Sequence, residues 1–124
     1  MLLKALEQIF EANIAVINAI LQYDYLWKKI QLTEGGKKNL EIFIHECSKR
    51  YNITAQETSE IQEIISLMEM HKKSPIEFQR KEKVVIVSDD LKTSNLDSEK
   101  LKKYLNSTKA IIEKARICMS LKRI

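Results

Sequence analysis

Ile76-Glu77-Phe78-Gln79-Arg80-Lys81-Glu82-Lys83-Val84-Val85-Ile86-Val87 is the one stretch of this chain that reads neither as helix nor as short linker. Ile76 and Phe78 alternate with Glu77 and Gln79, four charged residues follow, and a β-branched run closes the segment. That is how a short β-hairpin is written. Strong helical patterns flank it on both sides. The expected fold is mainly α: an antiparallel four-helix bundle with short connections and a hairpin at about 76–87 between helices 3 and 4.

Working back from the hairpin, Pro75 forbids easy helical continuation and biases Ser74 toward extended backbone, so helix 3 is expected over about 54–73. Thr54 and Glu57 have capping-box spacing with Ile53 before the cap, and Ile61, Ile64, Ile65, Met68 and His71 point inward. Glu57, Glu60, Glu63 and Glu69 are expected largely off that face. Helix 2, about 37–51, has the core pattern Leu40, Phe43, Ile44, Cys47 and Tyr51. Before it, Gly35-Gly36 is expected to supply the left-handed backbone that ends helix 1.

Helix 1, about 2–32, carries two apolar stripes. One is Leu3, Leu6, Phe10, Ile14, Ile17, Leu21 and Tyr25; the other is Leu2, Ile9, Val16, Ile20, Tyr23, Trp27 and Ile30. A surface helix needs one stripe, so contacts on two sides are expected. Ala5, Ala12, Ala15 and Ala19 make a small-residue line that lets another helix approach closely. Together with Tyr23 and Trp27, this line is the expected interface with a second copy of the chain.

Working forward, Ser88 to Asn95 is polar and turn-forming, an expected exposed loop. Helix 4, about 97–122, has the core line Leu101, Leu105, Thr108, Ile112, Ala115 and Met119. The 28 residues from Asp97 onward hold eight basic and three acidic side chains, whereas the whole chain has a net charge of +4. The basic character therefore belongs to helix 4. Lys102, Lys109 and Arg116 repeat every seven residues, a cationic line that suits a phosphate backbone.

The chain has 124 residues, two glycines and one proline. One domain over 1–124 is expected, because a single core buries roughly two-thirds of the unfolded surface at this size. Glu7 interrupts the position of a secretory apolar region, and no run approaches the roughly 18 apolar residues of a membrane span. A cytoplasmic protein with no membrane partner is expected. Cys47 and Cys118 are far apart without metal spacing, which suits buried thiols in a reducing compartment.

No cofactor, metal site or catalytic signature is expected: the chain lacks a Walker loop, a GxSxG elbow, an HExxH helix and a dinucleotide fingerprint. Asp89-Asp90 lacks a third ligand at a defined spacing. His45 lies opposite the Phe43 and Cys47 stripe. His71, at the end of helix 3 beside Lys72 and Lys73, is the histidine better placed for chemistry.

The run from His71 through Val87 that leads into helix 4, behind a long first helix and a helix 2–helix 3 pair, resembles small prokaryotic proteins of the HEPN superfamily. The resemblance implies a homodimer, a small nucleotidyltransferase as partner and, in active members, metal-independent RNA cleavage. Active members carry an arginine followed four to six residues later by a histidine, and no arginine here has a histidine at that distance. His71 and Arg80 are the residues left as catalytic candidates. The expected function is a non-enzymatic homodimeric interaction module, with a nucleic-acid-binding accessory or an atypical ribonuclease as the alternatives.

Overall fold

A computed structural model describes residues 2–73, 76–80, 83–87 and 93–121, with side chains for 2–72 and 96–120. The chain is mainly helical. Helix α1 spans Leu2–Leu26, α2 Gly36–Ile42, α3 Ala55–Lys73 and α4 Ser98–Leu121. Past Ile42, α2 continues through a π-helical turn, Phe43–Cys47, and a 3-10 turn, Ser48–Tyr51. Strands β1 (Ile76–Arg80), β2 (Lys83–Val87) and β3 (Thr93–Asp97) pair antiparallel in that order, with Val85 opposite both Phe78 and Asn95.

The connection at 81–82, Ser74, Pro75 and the 88–92 segment with Asp89 and Asp90 lie outside the described residues. Residues 93–95, expected in a loop, instead extend β3. A strand paired on one edge leaves open backbone groups on the other, and β3 pairs with that second edge of β2.

Helix α1 stops at Leu26, six residues before the expected end, and the glycines are not what stops it. Lys28 takes the left-handed conformation at φ 58°. Its N–H donates to the Tyr25 carbonyl at 3.0 Å, and the Lys29 N–H reaches the Asp24 carbonyl at 2.9 Å. Those two bonds form a Schellman stop. Neither glycine has positive φ; Gly35 sits at φ −85° before α2, and Gly36 is its first residue. Asn52, at φ 59°, ends the 3-10 turn in the same way through Asn52 N–H to Lys49 O and Ile53 N–H to Ser48 O. Two residues later the capping box forms, Thr54 N–H donating to Glu57 Oε1 at 2.9 Å and Glu57 N–H to Thr54 Oγ1 at 3.1 Å. Asp97 Oδ1 caps α4 by accepting the Lys100 N–H at 2.9 Å.

The two stripes of α1 merge into one buried face: Leu6, Ile9, Asn13, Val16, Ile17, Ile20, Leu21 and Asp24. Leu6 and Ile9 pack with Ile64, Leu67, Met68, Leu96, Leu101 and Tyr104 at one end. Val16 to Leu21 pack with Ile30, Phe43, Cys47, Tyr51, Ile53, Ile61, Ile111 and Ala115 at the other. Tyr25 and Trp27, expected in the stripes, are exposed because α1 has ended beside them. Leu105 and Ile112, expected in the α4 core line, are also exposed, since the buried line runs through Tyr104, Thr108, Ile111 and Ala115.

Helix directions follow from the cross-links. Asn13 Nδ2 donates to Thr108 Oγ1 at 2.8 Å and Tyr23 Oη to the Met119 carbonyl at 3.2 Å, so α1 and α4 advance in the same direction. Helix α3 runs against α4, pairing Glu57 with Lys114, Glu60 with Ser107 and Glu63 with Tyr104. Helix α2 begins beside Ile14 and Asn18 and ends at Asp24, so it follows α1. Strict alternation, expected for every neighbour, is therefore not what these contacts describe. The cause is the 27–35 connection, which at about 3.3 Å per residue can carry the chain back along α1 before α2 starts.

Candidate functional site: a buried carboxylate and an outer helical face

Asp24 occupies the last turn of α1 and is completely buried. A carboxylate there sits at the negative end of the helix dipole, so it needs partners from elsewhere. Helix 2 supplies them. Arg50 donates to Asp24 Oδ2 from Nη2 at 2.9 Å and from Nε at 3.3 Å, and Tyr51 Oη donates to Oδ1 at 2.9 Å. The π-turn that ends at Cys47 and the 3-10 turn that contains Arg50 and Tyr51 change the helical pitch and present the three residues together.

Two thiols border the pair: Arg50 Nη2 lies 3.8 Å from Cys47 Sγ, and Cys118 Sγ donates to the Arg50 carbonyl at 3.7 Å. Burial, reinforced by the neighbouring Asp24 carboxylate, pushes the Cys47 thiol up to about 12. Burial and the same carboxylate also raise the Tyr51 phenol. Cys47 is thus held protonated and non-nucleophilic, and both Asp24 oxygens are occupied. The cluster braces α1 against α2.

A second polar layer joins α3 to α4. Glu57, Glu60 and Glu63 form one line at helical spacing, and Glu60 is buried rather than turned away. Lys114 Nζ reaches Glu57 Oε1 at 2.6 Å; Glu60 accepts from Ser107 Oγ and, at 3.2 Å, from Gln56 Nε2, with Lys103 Nζ at 3.7 Å. Tyr104 Oη donates to Glu63 Oε2 at 3.2 Å, and burial, then that carboxylate, raises its phenol. Of the acids expected largely off the core face, Glu57, Glu60 and Glu63 form an interhelical seam.

Asn13 is the third buried polar group. Its Nδ2 donates to the Ile9 carbonyl and to Thr108 Oγ1, which leaves Oδ1 without a partner among the described residues.

Of the interface residues expected from the sequence, Ala5, Ala12 and Tyr23 are half-buried, Ala15 and Ala19 exposed, and Trp27 is 52% exposed with its ring 6.1 Å from that of Tyr23. Lys102, Lys109 and Arg116 are all exposed, and Arg116 pairs with Glu113 on its own helix. Asn13 and Tyr23 mark the side of α1 that meets α4, and Ala12 and Ala19 flank it. Thr108 and Ala115 mark the α1 side of α4, and Ile112 and Met119 each follow four residues later. Because α1 and α4 run in the same direction, these two flanks adjoin.

His71, half-buried, pairs with Glu7 at 3.3 Å and ties the end of α3 to the start of α1. Lys72 Nζ stands 5.6 Å from the Phe10 ring centre. Arg80 ends β1, and its side chain lies outside the described residues, so no composite with His71 is described. His45 is exposed.

An apolar cleft of about 410 Å³ opens between α1, the start of α2 and α3, with Phe10, Ile14, Leu40 and Ile65 in its wall. Its best polar candidate, Asn39, is occupied: Nδ2 donates to Thr33 O at 2.8 Å, and Oδ1 accepts the Thr33 N–H at 2.9 Å. Among the described residues, no group of three or more His, Cys, Asp or Glu is placed to hold a metal ion, and no helix is long and apolar enough to cross a membrane. Comparison of the chain with protein-family models, curated proteins and solved structures finds no match.

Asp24, Arg50, Tyr51 and Glu60 were missed as a polar framework by sequence reasoning. A usable signal existed for two polar positions: Asn13 and Asp24 lie seven and eighteen residues after Leu6, whole numbers of turns along the apolar face.

Proposed function

We propose that the chain is a non-enzymatic helical interaction module, HEPN-like in architecture with a hairpin between α3 and α4, that pairs with a second copy of itself. What supports this reading is the exposure of Ala15 and Ala19 on α1 and of Leu105 and Ile112 on α4, two helices that run in the same direction side by side. Small residues on one helix allow close approach, and the exposed branched side chains of the other supply apolar area. A cytoplasmic location and a small nucleotidyltransferase as further partner belong to the same reading. Ala15→Arg places a charge on this surface. Light scattering should give a dimer mass for the wild type and a monomer mass for the variant; a monomeric wild type, or an unchanged variant mass, counts against the surface.

A second reading rests on Lys102, Lys109 and Arg116, all exposed on α4. Lys102 and Lys109 have no ion-pair partner among the described residues, so their charges face solvent and suit a phosphate backbone. Reversal of all three to Glu should abolish salt-sensitive RNA binding; wild-type protein that binds no RNA at low salt removes this reading.

A further inference from the structure

The corner where α1 ends, which takes Trp27 out of the interface expected from the sequence, supports a separate inference. Where α1 stops, three consecutive large apolar residues stand in solvent: Tyr25 is 50% exposed, Leu26 73% and Trp27 52%. They are followed at once by Lys28 and Lys29, both exposed. The Schellman bonds from Lys28 and Lys29 to Tyr25 and Asp24 fix this corner, and the Tyr23 ring lies 6.1 Å from that of Trp27, tilted by 41°.

The carboxylates nearest this end that have defined partners are neutralised in place, Asp24 by Arg50 and Glu57 by Lys114. Glu46 and Lys49, both exposed on the second helix, offset one another. Lys28 and Lys29 therefore leave the corner cationic around an apolar tip.

We propose that this corner docks on an anionic lipid surface, with Leu26 and Trp27 entering the headgroup region and Lys28 and Lys29 meeting the lipid charges. Charge complementarity selects the negative surface. Side-chain direction selects a bilayer over a folded acidic partner: consecutive helical residues diverge by roughly 100° each, so Tyr25 and Leu26 splay instead of forming one flat face. A protein interface wants roughly 800 Å² of matched surface per partner, whereas a fluid headgroup layer accommodates splayed side chains and favours Tyr and Trp at its boundary.

Trp27 is the only tryptophan in the chain, so its emission reports directly on the corner. Purified protein is titrated with vesicles of phosphatidylcholine containing phosphatidylserine and, separately, of phosphatidylcholine alone, with co-sedimentation as the second readout. The expected result is a blue shift and co-sedimentation with the anionic vesicles only. Lys28→Glu with Lys29→Glu should weaken that binding about tenfold or more, and Leu26→Ser should weaken it while leaving the circular dichroism unchanged. The Ala15→Arg variant should bind vesicles like the wild type. Absence of a shift, a shift that grows with protein concentration without vesicles, or vesicle binding indifferent to Leu26, Lys28 and Lys29 would each overturn the proposal.

Discussion

Two of the polar contacts that hold helices together in this molecule are built on opposite plans. Between α1 and α2, one completely buried carboxylate, Asp24, has both oxygens bound by Arg50 and Tyr51. Between α3 and α4, three carboxylates are spread along the seam and draw on Lys114, Ser107, Lys103, Gln56 and Tyr104. The first plan has no redundancy: its carboxylate is fully buried, and Arg50, whose side chain is 30% exposed, is its one cation. The second has several partners, some of which stand partly in solvent, with the Lys103 side chain 55% exposed. Concentrated and distributed polar contacts should therefore fail differently.

The largest effect is expected at the concentrated contact. Arg50→Ala leaves the Asp24 carboxylate buried without its cation, and that class of change costs about 3–5 kcal/mol. Urea denaturation should show the midpoint fall with little change in slope. The comparison sharpens if all three partners are removed together: Asp24→Leu, Arg50→Met, Tyr51→Phe exchanges the network for apolar volume, and its stability should return close to wild type. A triple variant as unstable as Arg50→Ala would show that the network is not the origin of the loss.

A smaller effect is expected in the seam. Glu60→Ala releases Ser107, Gln56 and Lys103, each of which has water within reach, so the expected loss is about 1–2 kcal/mol in the same denaturation measurement. A loss equal to that of Arg50→Ala would break the distinction between the two plans.

This contrast was only partly legible in the sequence. The capping box at Thr54 and Glu57 was, because both of its hydrogen bonds are local and the spacing alone specifies them. The four helices could also be read from periodicity, as could most of the core positions of the second helix. The stop of α1 could not. A lysine takes the left-handed position, held there by the two backbone bonds of the stop, while neither nearby glycine has positive φ. The direction of α2 followed that missed stop, since a helix ending at Leu26 releases a long connection. Asp24 was hidden for a related reason: its cation comes from 26 residues away, and no local rule reports a buried pair of that separation. Of the candidate surface, the alanine and basic lines were each visible as spacings; that α1 and α4 run side by side in the same direction was not.

The smallest effect distinguishes the plans by pH. Burial alone would raise the Glu57 carboxyl, but the bonds from Lys114 and the Thr54 N–H outweigh it and hold the group below its ordinary value of 4.5. A carboxyl lowered in the folded state adds stability that is fully present above its unfolded value and is lost as pH falls through the folded one. Wild-type stability should therefore fall on acidification below about pH 4.5 more steeply than that of Glu57→Gln, whereas at neutral pH Glu57→Gln is the less stable of the two. Parallel acid limbs in the two proteins would mean that Lys114 gives this end of the seam no net electrostatic support, leaving the capping bond from Thr54 as its only local tie.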